Sequence, residues 1–277
     1  MTFLKTVAEL KKMIEEDSVV VIDVRSHLQK PESGLAQYKA SHIPGAYYLH
    51  LDNDLSSEVK EHGGNHPLPE IDVFSKKLGE MGITKDSRVV VYDDKNNTFA
   101  PRAWWLLRYV GIENVYVLKG GMKAWEEAGY EVTKTMPVAA PTTFTPNIKP
   151  NTTVSMEEVR DRNRDNSILI DSRAFERYIG EQEPLYSKKG HIPGAKNYFW
   201  QDLYDETGDW KSKEELTAHF AGLEDAKEVI VSCGSGISAT PNILALEMLG
   251  FDNVKLYPGS FSDWISYEAN EVETKEE

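Results

Sequence analysis

The sequence predicts an α/β protein made of two copies of one domain in tandem, each a mostly parallel sheet with helices on both faces. The first observation behind this is internal repetition at domain spacing. Val21-Ile22-Asp23-Val24-Arg25 is echoed by Leu169-Ile170-Asp171-Ser172-Arg173, and His42-Ile43-Pro44-Gly45-Ala46 returns unchanged as His191-Ile192-Pro193-Gly194-Ala195. Gly111-Ile112-Glu113-Asn114-Val115 returns as Gly250-Phe251-Asp252-Asn253-Val254, and Gly120 and Trp125 match Gly259 and Trp264. The second observation is alternation of short apolar runs with stretches of helical pattern, the signature of a parallel sheet covered by helices. The third is Met136–Pro150, whose four prolines exclude a regular helix or a central strand. These give a first domain over 1–137, a Pro-rich linker over 138–150 and a second domain over 151–277.

Taken in order, Val19 to Val24 reads as a short strand, Ile71 to Met81 as a helix and Arg88 to Tyr92 as a strand. Ala100 to Val110 reads as a helix and Val115 to Leu118 as a strand. The second copy repeats this with Ile168 to Asp171, Lys213 to Ala221, Val229 to Ser232, Thr240 to Leu249 and Val254 to Tyr257. The helix over 240–249 reads as amphipathic, and the polar tail Glu271 to Glu277 is expected to fray.

Composition narrows the function. A chain of 277 residues with 40% apolar residues can supply two ordinary cores. The formal charge, 31 − 45 = −14, argues against nucleic acid or an acidic membrane as a partner, so an anionic ligand needs a local positive field. One cysteine allows no internal disulfide, which points to a reducing compartment. Met1 to Thr6 carries no signal-peptide apolar stretch, and no apolar run has the length of a membrane helix. A cytoplasmic protein is expected.

That lone cysteine, Cys233, follows the apolar run Val229-Ile230-Val231-Ser232 and opens the loop Gly234-Ser235-Gly236-Ile237-Ser238 before a helix. A thiol there meets backbone N–H groups and the positive end of a helix, a place suited to a thiolate and to an anion. A small buried apolar side chain is the bland alternative; the flanking glycines oppose it, because they free the backbone to turn its amides inward. The offset of 139 carries Cys233 back to Asp94, within Tyr92-Asp93-Asp94-Lys95-Asn96-Asn97, so only the second copy can do cysteine chemistry. Ser235 could pass a proton or hydrogen-bond a donor carbonyl, or simply serve the turn. Ser238 reads as the N-cap of the helix that follows. Arg173, His191 and Asp171 recur as Arg25, His42 and Asp23 in the copy without a thiol, which marks them as structural rather than as a Cys–His pair. Arg177 has no such counterpart, since Gln29 holds its place.

The paired Asp-x-Arg and His-Ile-Pro-Gly-Ala motifs, the Gly-x-x-x-x-Trp segments and the Cys233 loop resemble the rhodanese superfamily in its tandem two-domain form, across essentially the whole chain. The resemblance implies two rhodanese-like domains, the first inert, and a sulfurtransferase that works through a Cys233 persulfide without a metal or organic cofactor. The loop looks like that of the 3-mercaptopyruvate branch, whereas thiosulfate-preferring members carry Arg-Lys where this chain has Gly234 and Ser235. The family's matching arginine binds the donor's anionic group, which assigns that work to Arg177, with Gly234, Gly236, Ile237 and Ser238 lining the loop. A further arginine usual in the mercaptopyruvate branch falls at Tyr186, with Lys188 and Lys189 as nearby cations, and an acidic residue of that branch falls at Ser33. Mercaptopyruvate is slightly favoured over thiosulfate as donor, with cyanide, a thiol or a thioredoxin-like protein as acceptor. Three other classes are weighed. A papain-like hydrolase needs a His base oriented by a third residue, and nothing in the sequence points to one. A cysteine phosphatase needs an arginine six residues after the thiol, where this chain has Ala239. A non-catalytic persulfide carrier or docking module for a sulfur-trafficking partner protein would load one sulfur on Cys233 and stop without that partner.

Overall fold

A computed structural model describes residues 3–95 and 98–274, so Asn96, Asn97 and tail residues Lys275 to Glu277 lie outside the described residues. The chain divides into two compact units. One comprises Met1–Ser57, Leu68–Lys149 and Glu206–Trp210; the other comprises Glu58–Pro67, Pro150–Asp205 and Lys211–Glu277.

In the first unit, strands β1 (Leu4–Lys5), β2 (Val20–Asp23), β3 (Tyr47–Tyr48), β4 (Val89–Tyr92) and β5 (Val115–Leu118) form one sheet in the order β1-β5-β4-β2-β3. Every pairing is parallel. Four consecutive β-formers, Val-Val-Val-Tyr, make β4 the fully buried centre, as expected of a parallel sheet covered on both faces. Helices α1 (Val7–Glu15), α2 (Glu32–Ala40), α3 (Ile71–Glu80), α4 (Phe99–Tyr109) and α5 (Gly121–Glu127) connect the strands. The Pro-rich segment is irregular, as its prolines dictate, and it is pinned to this unit. Thr142 N–H donates to the Gly79 carbonyl at 2.8 Å, and Asn147 and Lys149 N–H donate to the Val110 and Tyr109 carbonyls at 2.9 Å.

In the second unit, β6 (Ser167–Asp171), β7 (Ala195–Asn197), β8 (Glu228–Ser232) and β9 (Val254–Leu256) form an all-parallel sheet in the order β7-β6-β8-β9. Its helices are α6 (Met156–Arg160), α7 (Phe175–Tyr178), α8 (Lys213–His219), α9 (Thr240–Leu249) and α10 (Ser260–Trp264). Strands β6 and β8 lie side by side, with Asp171 opposite Ser232. The chain leaves β6 toward β7 on one side and β8 toward β9 on the other, so the carboxyl ends of β6 and β8 flank the switch point where open α/β sheets bind ligands.

The repeated motifs make the same contacts in both units. Arg25 Nη2 donates to Asp23 at 2.7 Å and to the Ser41 carbonyl at 2.6 Å, and Arg173 Nη2 donates to Asp171 at 2.6 Å and to the Gly190 carbonyl at 2.7 Å. His42 and His191 donate through Nδ1 to the Tyr38 and Tyr178 carbonyls, at 2.8 and 2.7 Å. Both imidazoles stack on those tyrosines. Arg173, His191 and Asp171 are thus scaffold.

Three expectations need correction. First, α9 is not amphipathic: Thr240 through Leu246 are all buried. Its polar residues turn inward because they have partners there, Thr240 on the Ile237 carbonyl and Asn242 on Ser172 and the Tyr198 carbonyl. Second, the described part of the tail does not fray. Glu273 and His191 exchange backbone hydrogen bonds at 2.8 and 2.9 Å, and the Glu273 carboxylate accepts from Gly194 N–H at 2.8 Å. Third, the first-copy counterpart of Cys233 is Asp93, not Asp94. Tyr92 pairs Asp23 as Ser232 pairs Asp171, and the Asp93 carbonyl accepts from Met122 N–H as the Cys233 carbonyl accepts from Phe261 N–H. The first copy carries one more residue between this strand end and Gly111, so an offset taken from later anchors overshoots by one. The copy still lacks a thiol.

Candidate active site

Cys233 stands at the carboxyl end of β8, buried to 1% exposure and unpaired. Its backbone N–H donates to Ser260 Oγ at 3.0 Å, and Gly236 N–H donates to its Sγ at 3.1 Å. The glycines earlier read as freeing this loop have separate reasons. Gly236 sits at φ +81°, and a Cβ there would lie 2.2 Å from the Pro258 carbonyl oxygen. At Gly234 a Cβ would lie 2.7 Å from the Tyr186 hydroxyl oxygen, so the phenol rests directly on the thiol loop. Ile237 is buried and turns its carbonyl to Thr240. Ser238 does not cap α9. Ala239 holds the N-cap with no side-chain hydrogen bond, and a proline opens the helix instead.

Ser260 is a non-glycine residue in the left-handed region, φ +52°. The matching position in the first unit is Gly121, at φ +58°. The serine accepts strain that glycine would avoid. What it adds is an Oγ that accepts from Cys233 N–H, donates to the Tyr257 carbonyl at 2.8 Å and lies 3.9 Å from Cys233 Sγ.

Ser235 has a partner that the sequence did not disclose. His66 Nδ1 lies 2.8 Å from Ser235 Oγ. His66 belongs to Glu58–Pro67, written in the first half of the sequence but part of the second unit. That segment is tied down throughout: Gly63 N–H donates to Asp263 at 2.7 Å, Asn65 N–H to Ser262 Oγ at 3.1 Å, and the His62 ring stacks on Tyr267 at 4.0 Å. The only signal in the sequence is the pair Gly63-Gly64 between two histidines.

Arg177 follows β6 within α7, 22% exposed, and it is not bare. Its Nε and Nη2 clasp Glu183 at 2.8 to 3.1 Å. The Glu183 side chain, fully buried, also accepts from Arg173 Nη1 at 3.2 Å. The sequence held one hint of it, an acid six residues after Arg177. Tyr186 packs in the same place, its ring 5.4 Å from the Arg177 guanidinium and edge-on to Phe261. Burial, reinforced by the electrostatic interaction with Cys233, pushes its phenol up to about 12. Lys188 turns elsewhere, onto the Glu268 and Asn270 carbonyls, so it does not supply the missing cation; Lys189 is exposed. Among the described residues no group of His, Cys, Asp and Glu is arranged to hold a metal ion.

Chemically, this is a buried free thiol with a backbone donor on its sulfur, a serine–imidazole pair on the same loop, and a charge-compensated arginine beside a phenol. The Rhodanese-like domain family matches residues 6–128 and 155–267. A probable 3-mercaptopyruvate sulfurtransferase of Pseudomonas aeruginosa is 36% identical over 269 residues, covering 95% of each chain. The rat thiosulfate sulfurtransferase is 32% identical over 257 residues, covering 89% of this chain and 85% of the relative. The crystal structure of SseA, a 3-mercaptopyruvate sulfurtransferase of Escherichia coli, superposes with a TM-score of 0.81 at 33% identity, covering 95% of this chain and all of that one.

Proposed function

The chain belongs to the rhodanese-like family and is a sulfurtransferase, and from that premise we propose that it moves a sulfane sulfur from a small anionic donor to a thiophilic acceptor through a persulfide on Cys233. The observation that carries this is the Gly236 N–H aimed at Cys233 Sγ at 3.1 Å in a strand–loop–helix turn. It supports negative charge on that sulfur without any cation in the loop.

The thiolate attacks the donor's outer sulfur. The new S–S bond forms as the donor's bond to that sulfur breaks, and the electron pair leaves with pyruvate enolate or with sulfite. Ser235 Oγ donates to the carbonyl oxygen of an organic donor while His66 Nδ1–H donates to Ser235, which lowers the energy of the enolate leaving group. That pair favours 3-mercaptopyruvate over thiosulfate, which has no carbonyl to polarise. A second nucleophile, cyanide or a thiol such as that of a thioredoxin-like protein, then attacks the outer sulfur and returns Cys233 as thiolate. Arg177 with the amides of Gly234, Ile237 and Ser238 is proposed to line the donor's path. A sulfur at 1% exposure suits a small donor. Loss of the thiol between turnovers to disulfide would stop the cycle, so a reducing, cytoplasmic setting fits.

The test is turnover. Purified protein given 3-mercaptopyruvate or thiosulfate with cyanide should form many thiocyanates per chain, with kcat/KM higher for mercaptopyruvate. One thiocyanate per chain and no more would refute catalysis in favour of a carrier.

A further inference from the structure

The surroundings of Cys233 hold two guanidinium groups, and neither is an uncommitted cation. Arg173 is spent on Asp171, Glu183 and the Gly190 carbonyl at 1% exposure, and Arg177 is clasped by the same Glu183. Two arginines against Asp171 and Glu183 sum to zero charge. A dianion brought to this place adds two negative charges next to a thiolate with no net cation to meet them, in a protein already at −14.

Beside these guanidinium groups stands the phenol of Tyr186. Its hydroxyl oxygen rests against Gly234, close enough that a single methyl on Gly234 would collide with it. Its ring is fixed between the Arg177 guanidinium and the edge of Phe261. Among the described residues the hydroxyl has no hydrogen-bond partner, although the neighbouring polar groups are paired. A phenol holds its proton at neutral pH, and burial strengthens that hold, so Tyr186 stands beside the loop as a neutral donor.

We propose that Tyr186 is a specificity-determining residue whose phenol O–H donates to the carboxylate of the bound donor, so that the site selects a monoanionic 2-oxo-3-sulfanyl carboxylate over a dianionic sulfur oxyanion. The proposal rests on the persulfide reading of Cys233. A phenol supplies direction without charge, so it rewards one well-placed carboxylate and does nothing to offset a second negative charge. Arg177 supports the same carboxylate through whatever edge Glu183 leaves it, and the Ser235–His66 pair takes the 2-oxo oxygen at the other end of the molecule.

The experiment is steady-state sulfur transfer to cyanide from 3-mercaptopyruvate and from thiosulfate, with wild type, Tyr186→Phe and Gly234→Ala. Loss of a hydrogen bond to a charged group is worth roughly ten- to a hundredfold. Tyr186→Phe should therefore lower kcat/KM for mercaptopyruvate by at least about tenfold more than for thiosulfate, mainly through KM. Gly234→Ala, which displaces the phenol without removing it, should move the donor ratio in the same direction. Equal factors for both donors in Tyr186→Phe would overturn the role of Tyr186 and leave the persulfide reading standing. A wild-type protein that gains no sulfur on Cys233 from either donor would refute that reading and the specificity role with it.

Discussion

Replacing Glu183 by glutamine should destabilise the second unit and at the same time improve the binding of thiosulfate. The carboxylate is fully buried and accepts from Arg173 Nη1, from Arg177 Nε and Nη2, and from Leu185 N–H. Glutamine keeps the shape and one acceptor oxygen but removes the charge that balances two guanidinium groups. Orphaning a buried charge costs about 3–5 kcal/mol, and the retained oxygen with Arg173's remaining bonds to Asp171 places this case near about 3 kcal/mol. For a unit of this size that is a fall in Tm of roughly 10 °C. The same change leaves a net charge of +1 around the donor. A unit charge at about 8 Å and an effective dielectric of about 20 contributes roughly 2 kcal/mol per donor charge before salt screening, so KM for thiosulfate should fall by about tenfold or more. Calorimetry and donor kinetics on Glu183→Gln, each at low and moderate salt, check both arms. A variant with unchanged Tm, or one whose KM for thiosulfate rises, would refute the charge-compensated reading of Arg177.

Other outcomes follow from the same geometry. His66→Ala and Ser235→Ala should each lower kcat with mercaptopyruvate by about 10²-fold, and the double variant should lose little more, because the two groups act as one unit; independent, multiplying losses would contradict the pair. Ser260→Ala keeps the left-handed strain and loses the bond to Cys233 N–H, costing about 1–2 kcal/mol, whereas Ser260→Gly relieves the strain and should recover about 1 kcal/mol of it. Denaturant unfolding that ranks glycine below alanine would count against the strain argument. The Tyr186 phenol, raised from 10.0 to about 12, stays protonated in the folded chain while the unfolded chain ionises. Its contribution is therefore complete below about pH 10 and lost as pH rises toward about 12, by roughly 2–3 kcal/mol. Unfolding free energies of wild type and Tyr186→Phe should separate across that window, wild type falling further as pH rises because burial penalises only the ionised phenol, and parallel curves would refute the shift.

The fold was legible wherever a motif occurs twice. Asp-x-Arg and His-Ile-Pro-Gly-Ala could be read as scaffold because the thiol-free copy keeps them, and Arg25 and Arg173 do make matching bonds. The Cys233 loop was legible because Gly236 needs a positive φ and Gly234 a close approach, constraints that a sequence displays as glycine. The rest depended on distant partners. His66 lies 169 residues from Ser235, and nothing local says that Glu58–Pro67 packs on Asp263 and Tyr267. Arg177 stood out as unshared between the copies, but its pairing with Glu183 is a tertiary fact that reverses its electrostatic meaning. The α9 face was misjudged because a buried Asn242 with two good acceptors looks, in sequence, like a solvated one. The tail was misjudged for a similar reason: Glu273 is polar, yet its backbone and carboxylate are both engaged by residues 191–194.

Sulfur transfer by this chain stands or falls on the sulfur of Cys233. Intact-protein mass spectrometry after brief exposure to 3-mercaptopyruvate without acceptor should show one added sulfur, about 32 Da, mapped to Cys233 and removed by cyanide. The Cys233→Ser protein should show none. A gain of sulfur that survives in Cys233→Ser, or a wild-type chain that transfers sulfur to cyanide without ever carrying it on Cys233, would contradict the account.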